Sequence, residues 1–290
     1  MRRWLLLTTG SDIPSSARTF RGGEAEILAH YTTIEKAASI ALVGELSLSP
    51  LRYMNDPRES QDRGVVTATP GGSAAPNTGA ATADWNTRRE QIRLACFTQD
   101  GGMHEGWSAS QADKRCFAKP RMWGQYGGAN AGVCLLLLRS DLANKAERRF
   151  GSRVKCDAVD YIDGFDPTAT SLIFDGNTET RWRMYVDETL FRKNANWEGE
   201  AEYRVRVSDW TEEHCQLPLC RLVVGLALGP VFPPHQILLA KAVATAFGVE
   251  DSTAKMILND GGVLTAYPAH RAGVWRSWSD QESRDGDMFE

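Results

Sequence analysis

Apolar and polar residues along the chain group into short stretches, and the first of these, Ile27-Leu28-Ala29-His30-Tyr31, reads as a strand. Ile34, Ala37, Ala38, Ala41 and Leu42 then recur at helical spacing. They follow Thr32-Thr33-Ile34-Glu35, which has the Ser/Thr-x-x-Glu spacing of a capping box, and Gly44 supplies a residue that tolerates a left-handed C-terminal cap. Leu46-Ser47-Leu48-Ser49-Pro50 alternates as a second strand. Asn55-Asp56-Pro57 marks a turn, because proline disfavours helix at the residue before it.

A helix is expected near Asp84 to Gln91 and a strand from Ile92 to Thr98, followed by an irregular, Gly- and Trp-bearing segment from Gly101 to Tyr126. Val133 to Leu138 is a continuous apolar run of strand length, the pattern of a central strand covered on both faces. Val154, Cys156 and Ala158 alternate with polar residues, and Trp182, Tyr185, Val186, Thr189 and Leu190 share one helical face after a candidate cap at Asn177. Tyr203, Val205 and Val207 alternate with Glu202, Arg204 and Arg206, and Leu222 to Leu228 forms another buried strand. A helix after Pro233-Pro234 ends near Gly248. Met256-Ile257-Leu258 and Val263-Leu264-Thr265 flank Asn259-Asp260-Gly261-Gly262, a hairpin signal.

Strands outnumber helices and no βαβ regularity is sustained, so the expected fold is α+β: a split, twisted, mainly antiparallel sheet with flanking helices. A length of 290 residues could hold two average domains, yet the order of elements fits one domain over 1–290 with its core at about 27–265. Residues 64–83 carry no charge and are dominated by Gly, Ala, Thr, Ser and Pro, which predicts a mobile insertion. Five acids among residues 280–290 predict a solvated tail.

Composition changes this picture little: 42% hydrophobic and 24% charged residues are those of an ordinary folded protein. A net charge of −4 argues against wholesale electrostatic binding of nucleic acid, although a local basic face can hide inside that average. The apolar run at Leu5-Leu6-Leu7 stops at Thr8 without a cleavage site, and no other apolar run is long enough to cross a bilayer. A cytoplasmic chain with no membrane association is expected. The six cysteines are scattered without a framework, and His214-Cys215 with Cys220 lacks the second ligand pair that zinc requires, so no metal is expected. Dinucleotide, Walker, nucleophile-elbow and zincin signatures are absent.

Four polar-aromatic groups remain unexplained by core building: His30-Tyr31-Thr32, Asn55-Asp56-Pro57-Arg58-Glu59, Met122-Trp123-Gly124-Gln125-Tyr126, and Trp197-Glu198-Gly199-Glu200-Ala201-Glu202-Tyr203-Arg204. With Cys96-Phe97-Thr98 between the second and third, and Gly229-Pro230 after a late strand, their order is similar to that of the bacterial family DUF2971 over about residues 27–265. The chain departs from that pattern where Gly127-Gly128-Ala129-Asn130 stands in place of a histidine following the Trp-x-x-Tyr element, and in the insertion after Glu59.

A strand-borne histidine near the start and a Glu-x-Glu near the end resemble ADP-ribosyltransferases, including their toxin and DNA-modifying branches. The resemblance implies an NAD-dependent ADP-ribosyltransferase or NAD glycohydrolase, in a bacterial toxin or phage-defence role, with NAD as substrate and no metal. Within it, His30, Tyr31, Thr32, Trp123 and Tyr126 would hold NAD, Glu202 with Glu200 would stabilise an oxocarbenium-like transition state, and Asn55, Asp56, Glu59 and Arg204 would contact substrate. A protein, a nucleic acid or water would be the acceptor.

The residues themselves leave other readings open. Glu198, Glu200, Glu202, Arg204 and Arg206 have period two and would share a strand face, which reads equally as a solvated face balanced by ion pairs. Trp123 and Tyr126 suit core packing, His30 a satisfied strand histidine, and Asn55 to Glu59 a structural turn. The competing function is a non-catalytic module that binds or senses a nucleotide or nucleic-acid end, with Arg204 and Arg206 as anion contacts, and a structural or partner-binding role is a third class.

Overall fold

The computed structural model describes residues 27–56, 78–100, 115–163, 182–183, 186–187, 189–258, 262 and 264–269. In chain order the elements are β1 (Ile27–Thr32), α1 (Ile34–Val43), β2 (Glu45–Ser47), β3 (Ser49–Pro50), α2 (Thr78–Glu90) and β4 (Arg93–Gln99). There follow α3 (Pro120–Gln125), β5 (Val133–Leu138), α4 (Arg139–Phe150), β6 (Val154–Ala158), β7 (Asp160–Ile162), β8 (Arg192–Asn194) and β9 (Glu202–Val207). The chain ends through β10 (Gln216–Pro218), β11 (Val223–Leu228), α5 (Ile237–Phe247), β12 (Thr253–Leu258) and β13 (Leu264–Pro268).

The chain folds into two compact units, Met1–Glu45 with Phe97–Leu142 and Pro218–Glu290, and Leu46–Cys96 with Ala143–Leu217. Each is assembled from separated stretches of sequence. In the first, strands are ordered β13-β12-β11-β5-β1. The apolar run of β5 is sandwiched there, antiparallel to β1 through all six residues from Ile27↔Leu138 to Thr32↔Val133 and antiparallel to β11 on its other edge. Gln99 and Thr98 of β4 face Leu28 and Ala29 of β1.

The exception to antiparallel pairing here is β11 with β12, which are parallel and joined through α5. The β12–β13 ladder, from Ala254↔Pro268 to Leu258↔Leu264, bears out the hairpin read at 259–262. Tyr31, Phe117, Trp123, Leu136 and Met256 are among the residues of the unit's core.

Local signals set the helix ends. Thr33 is the N-cap of α1, its hydroxyl accepting from the Lys36 backbone, one residue later than the capping-box reading centred on Thr32, which belongs to β1. Gly44 (φ 77°) and Gly248 (φ 70°) close α1 and α5 in the left-handed region, where a side chain would be strained. These two helices pack together, and Gln236 Nε2 donates to Glu35 Oε1 at 3.1 Å beside their N-termini.

In the second unit β3 and β9 both pair with β4, and β6 lies antiparallel to β9 from Val154↔Val207 to Ala158↔Tyr203. Leu51, Ile92, Leu94, Trp182, Val186, Leu190 and Phe191 form its core. The architecture is therefore mixed α+β, with a mainly antiparallel open sheet and flanking helices. Three expectations need revision. The stretch Leu46 to Pro50 forms two short strands rather than one. Residues 78–83 of the expected insertion open helix α2, while 64–77 and the tail at 280–290 lie outside the described residues. The irregular segment before Tyr126 contains α3, started by Pro120 at its first helical position.

Candidate functional site

The sequence-predicted residues fall in both units, and each group is built separately. In the first unit Ile27, Ala29 and Tyr31 all point into the core, as the period of two along β1 requires. Tyr31 meets Trp123 edge-on with ring centroids 5.0 Å apart, and its hydroxyl donates to the Cys116 carbonyl at 2.5 Å. Trp123 is fully buried and donates through Nε1 to the Phe117 carbonyl at 2.8 Å. Burial, reinforced by Cys134 and Cys116, raises the Tyr31 phenol well above its ordinary range, so it stays protonated.

Tyr31 and Trp123 are thus structural, and neither ring offers a face to a nicotinamide. Tyr126 packs against the same cluster but is half-buried, and its hydroxyl accepts from Gln125 Nε2 at 3.1 Å. His30 sits one residue along β1 from Tyr31 and so faces the other side of the sheet, with its ring 5.5 Å from that of Phe97. Thr32 shares that side and is buried. A single pocket lined by His30 together with Trp123 or Tyr126 does not follow from this alternation. His30 and Tyr126 remain as the two ring residues of this group that solvent partly reaches.

Beyond α3 the backbone turns left-handed at Gly128 (φ 56°), Ala129 (φ 53°) and Asn130 (φ 71°). Asn130 donates its backbone N–H to the Trp123 carbonyl at 3.0 Å and accepts from Val231 at 3.1 Å. This is a packed junction: a Cβ at Gly132 would lie 2.3 Å from the Thr32 carbonyl oxygen.

In the second unit Asn55 is exposed and Asp56 buried, while Glu59 lies outside the described residues. The Glu-x-Glu segment is not one strand face. Ala195–Glu200 is a 3₁₀ helix, Ala201 adopts φ 44° and ψ 55°, and β9 starts only at Glu202. Both faces of β9 are buried, so the solvated-face reading fails, whereas the ion pairs it invoked are present.

Glu202 receives a forked contact from Arg204, Nε to Oε1 at 2.6 Å and Nη2 to Oε2 at 3.0 Å. Lys193 Nζ lies 2.7 Å from Glu202 Oε2 and 2.8 Å from Glu200 Oε2. The ammonium sits 5.2 Å from the Trp197 ring centroid, and Arg204 also donates to the Leu190 carbonyl. Relative exposure is 0% for Arg204, 4% for Lys193, 2% for Glu200 and 4% for Glu202, so two carboxylates and two cations form a neutral cluster out of water.

Burial alone would raise the Glu202 pKa. Arg204, through charge and hydrogen bonds, then Lys193 and a hydrogen bond from the Cys96 thiol, outweigh it and bring it down to about 2. Tyr161, whose hydroxyl accepts from the Glu202 backbone N–H at 2.8 Å, is pushed up to about 12 by burial. Arg206 is paired with Asp187 Oδ1 at 2.7 Å. Neither Arg204 nor Arg206 therefore presents a free guanidinium to an anion. Sequence reasoning missed Lys193 and Tyr161, which reach the cluster from β8 and β7 and carry no periodic signal, and gave Cys96 on β4 a place in the motif order but no role at Glu202.

Among the described residues no group of His, Cys, Asp and Glu could hold a metal, and no helix is long and apolar enough to cross a membrane. No curated protein and no solved structure matches the chain. Residues 122–205, from α3 to the centre of β9 and including the whole ion cluster except Cys96, match the model of the family described as "Protein of unknown function (DUF2971)".

Proposed function

We propose that the chain is an NAD-consuming enzyme, an ADP-ribosyltransferase or NAD glycohydrolase, in which Glu202 stabilises an oxocarbenium-like transition state. A bacterial toxin or phage-defence role is part of this proposal and rests on the motif resemblance alone. The observation that carries the chemistry is the state of Glu202: fixed on β9, forked by Arg204 and ionised at any working pH. A carboxylate that never takes a proton suits electrostatic stabilisation of developing positive charge and is useless as a general base. Arg204 and Lys193 are positioning residues in this scheme.

A second reading is favoured by the same cluster. An ionised carboxylate has about four acceptor positions, and in Glu202 they are met by Arg204 twice, by Lys193 and by the Cys96 thiol. A residue so saturated has no acceptor position left for an oxocarbenium-like state, which fits a non-catalytic module whose nucleotide or nucleic-acid end would be held by residues outside this cluster. Incubating the full chain with NAD and mixed protein, nucleic-acid and water acceptors, and following nicotinamide by chromatography, separates the two. Release by the wild type, lowered about 10²-fold or more in a Glu202→Gln protein shown by circular dichroism to be folded, supports the first reading. NAD left intact by the wild type under every acceptor condition overturns it in favour of the second.

A further inference from the structure

We infer that Arg149 and Arg153, laid over the Trp210 indole and backed by Arg93, form a binding site for the phosphodiester backbone of a single nucleic-acid strand. The site lies wholly in the second unit and is independent of the NAD reading. It begins with helix α4, where Leu142, Ala146 and Phe150 recur at a spacing of four, are buried, and fix the last turn against the core. That turn carries Arg148 and Arg149, and a 3₁₀ turn, Gly151–Arg153, brings Arg153 round to the same place.

Trp210 is the platform. Its indole Nε1 donates to the His214 carbonyl at 3.2 Å, its backbone N–H to the Gln91 carbonyl at 3.0 Å, and its ring meets Phe150 edge-on at 5.6 Å. The Arg153 guanidinium carbon lies 4.8 Å from its centroid and that of Arg149 5.8 Å. The Arg153 carbonyl accepts from the Ser208 backbone N–H at 3.0 Å. A guanidinium resting on an aromatic face keeps its N–H donors in plane and aimed outward, the geometry that forks onto phosphate oxygens.

Both arginines are exposed, and neither has a carboxylate in ion-pair reach among the described residues. Arg93 behind them is buried, donates to the backbone carbonyls of Glu90, Ile92 and Glu212, and leaves Nε without a partner. Carbonyls satisfy its hydrogens but not its charge. Burial pushes the Cys215 thiol up to about 11, and the charges of Arg93, Arg149 and Arg153 pull it part of the way back, so all three act in one neighbourhood.

The chain as a whole carries −4, so it has no general attraction for polyanions and any binding must be local. Two guanidiniums over one indole span successive phosphates of one strand more readily than the roughly 12 Å of a duplex major groove. Trp210 is 2% exposed and the arginines lie against it, so contact is to backbone rather than to stacked bases, and sequence preference should be weak.

The test is fluorescence anisotropy of a labelled single-stranded DNA oligonucleotide titrated with the full chain without NAD, from about 50 to about 200 mM salt. The wild type should bind with an affinity that falls as salt rises. The double variant Arg149→Gln/Arg153→Gln should bind about tenfold more weakly at the lower salt, with a log–log salt slope shallower by about 1.4, the value for two single-strand phosphate contacts. The double variant Arg149→Lys/Arg153→Lys should keep the slope and lose part of the affinity, because charge remains and the fork does not. A Lys36→Gln/Lys241→Gln protein, with the same charge removed from the other unit, should behave as wild type. No binding by the wild type, an unchanged slope in the Gln variant, or equal competition by polyglutamate of matched charge overturns the inference. The last result would assign the surface to an acidic protein instead.

Discussion

Replacing Glu202 by Gln keeps the shape of the ion cluster and removes one negative charge, leaving Arg204 buried opposite a neutral amide. Breaking one partner of a buried pair costs about 3–5 kcal/mol, because the remaining charge has lost its compensation and cannot recover water. The pH dependence provides an independent measure. The Glu202 carboxyl falls from its ordinary 4.5 to about 2 in the folded chain, which at about 1.4 kcal/mol for each pKa step is about 3 kcal/mol. Being depressed, it contributes that stability fully above the unfolded value and loses it as pH falls toward the folded one. At pH 3 somewhat less than half remains, so the wild type should lose about 2 kcal/mol from this group between pH 7 and pH 3, and Glu202→Gln none of it. Urea titrations followed by tryptophan fluorescence should therefore show a gap between the two proteins that is large at neutral pH and about 2 kcal/mol smaller at pH 3. Removing both charges, as Glu202→Gln/Arg204→Met, should cost less than the single change plus an independent Arg204 loss. A neutral-pH gap under about 1 kcal/mol, or one that does not narrow on acidification, would show that the cluster is not desolvated and paired as described.

Two further changes test the backbone. Ala201 is held at φ 44°, so Ala201→Gly should raise the thermal midpoint by the equivalent of about 0.5–1 kcal/mol, whereas Ala201→Val should lower it. Gly132→Ala would set a Cβ 2.3 Å from the Thr32 carbonyl oxygen and 2.9 Å from Gly127 backbone atoms. Because both neighbours are main chain, it should cost at least about 1–3 kcal/mol in thermal unfolding, while Gly124→Ala, with nothing within 4 Å of its Cβ on α3, should be neutral or mildly stabilising.

What could be read in the sequence follows the range over which each signal acts. Continuous apolar runs gave β5 and β11, and Gly44 and Gly248 marked helix ends, because packing period and left-handed caps are local properties. Helix α4 was overlooked although Leu142, Ala146 and Phe150 are spaced for it. Its charged composition drowned a narrow apolar stripe, and with it went the arginines at its end. The parallel β11–β12 pair also escaped, since nothing local distinguishes a lone βα-strand crossover from an antiparallel connection. In the sequence Tyr31 and Trp123 suit a ligand contact and a core position alike, because an aromatic residue that fills a core and one that faces a ligand have the same composition. Burial separates them, and burial is a property of the fold.

The Glu-x-Glu segment shows most clearly how a motif can be read correctly as a word and wrongly as a geometry. A period of two would put Glu200 and Glu202 side by side on one strand, each looking outward. Ala201 prevents this, and alanine gives no warning, since the left-handed region belongs statistically to Gly, Asn and Asp. The turn at Ala201 ends a 3₁₀ helix on one carboxylate and starts a strand on the next, so that both converge on the ammonium of Lys193. Trp197 then lies against that ammonium from within the same helix, and Arg204, two residues along β9, forks Glu202 from its own side of the strand. Tryptophan, two glutamates and arginine at this spacing are therefore what it takes to close a neutral ion cluster over Lys193 and to anchor β9 between β4 and β6. That requirement exists whether or not the chain ever meets NAD, so loss of nicotinamide release in a variant of this segment bears on catalysis only when the variant is shown to keep its fold.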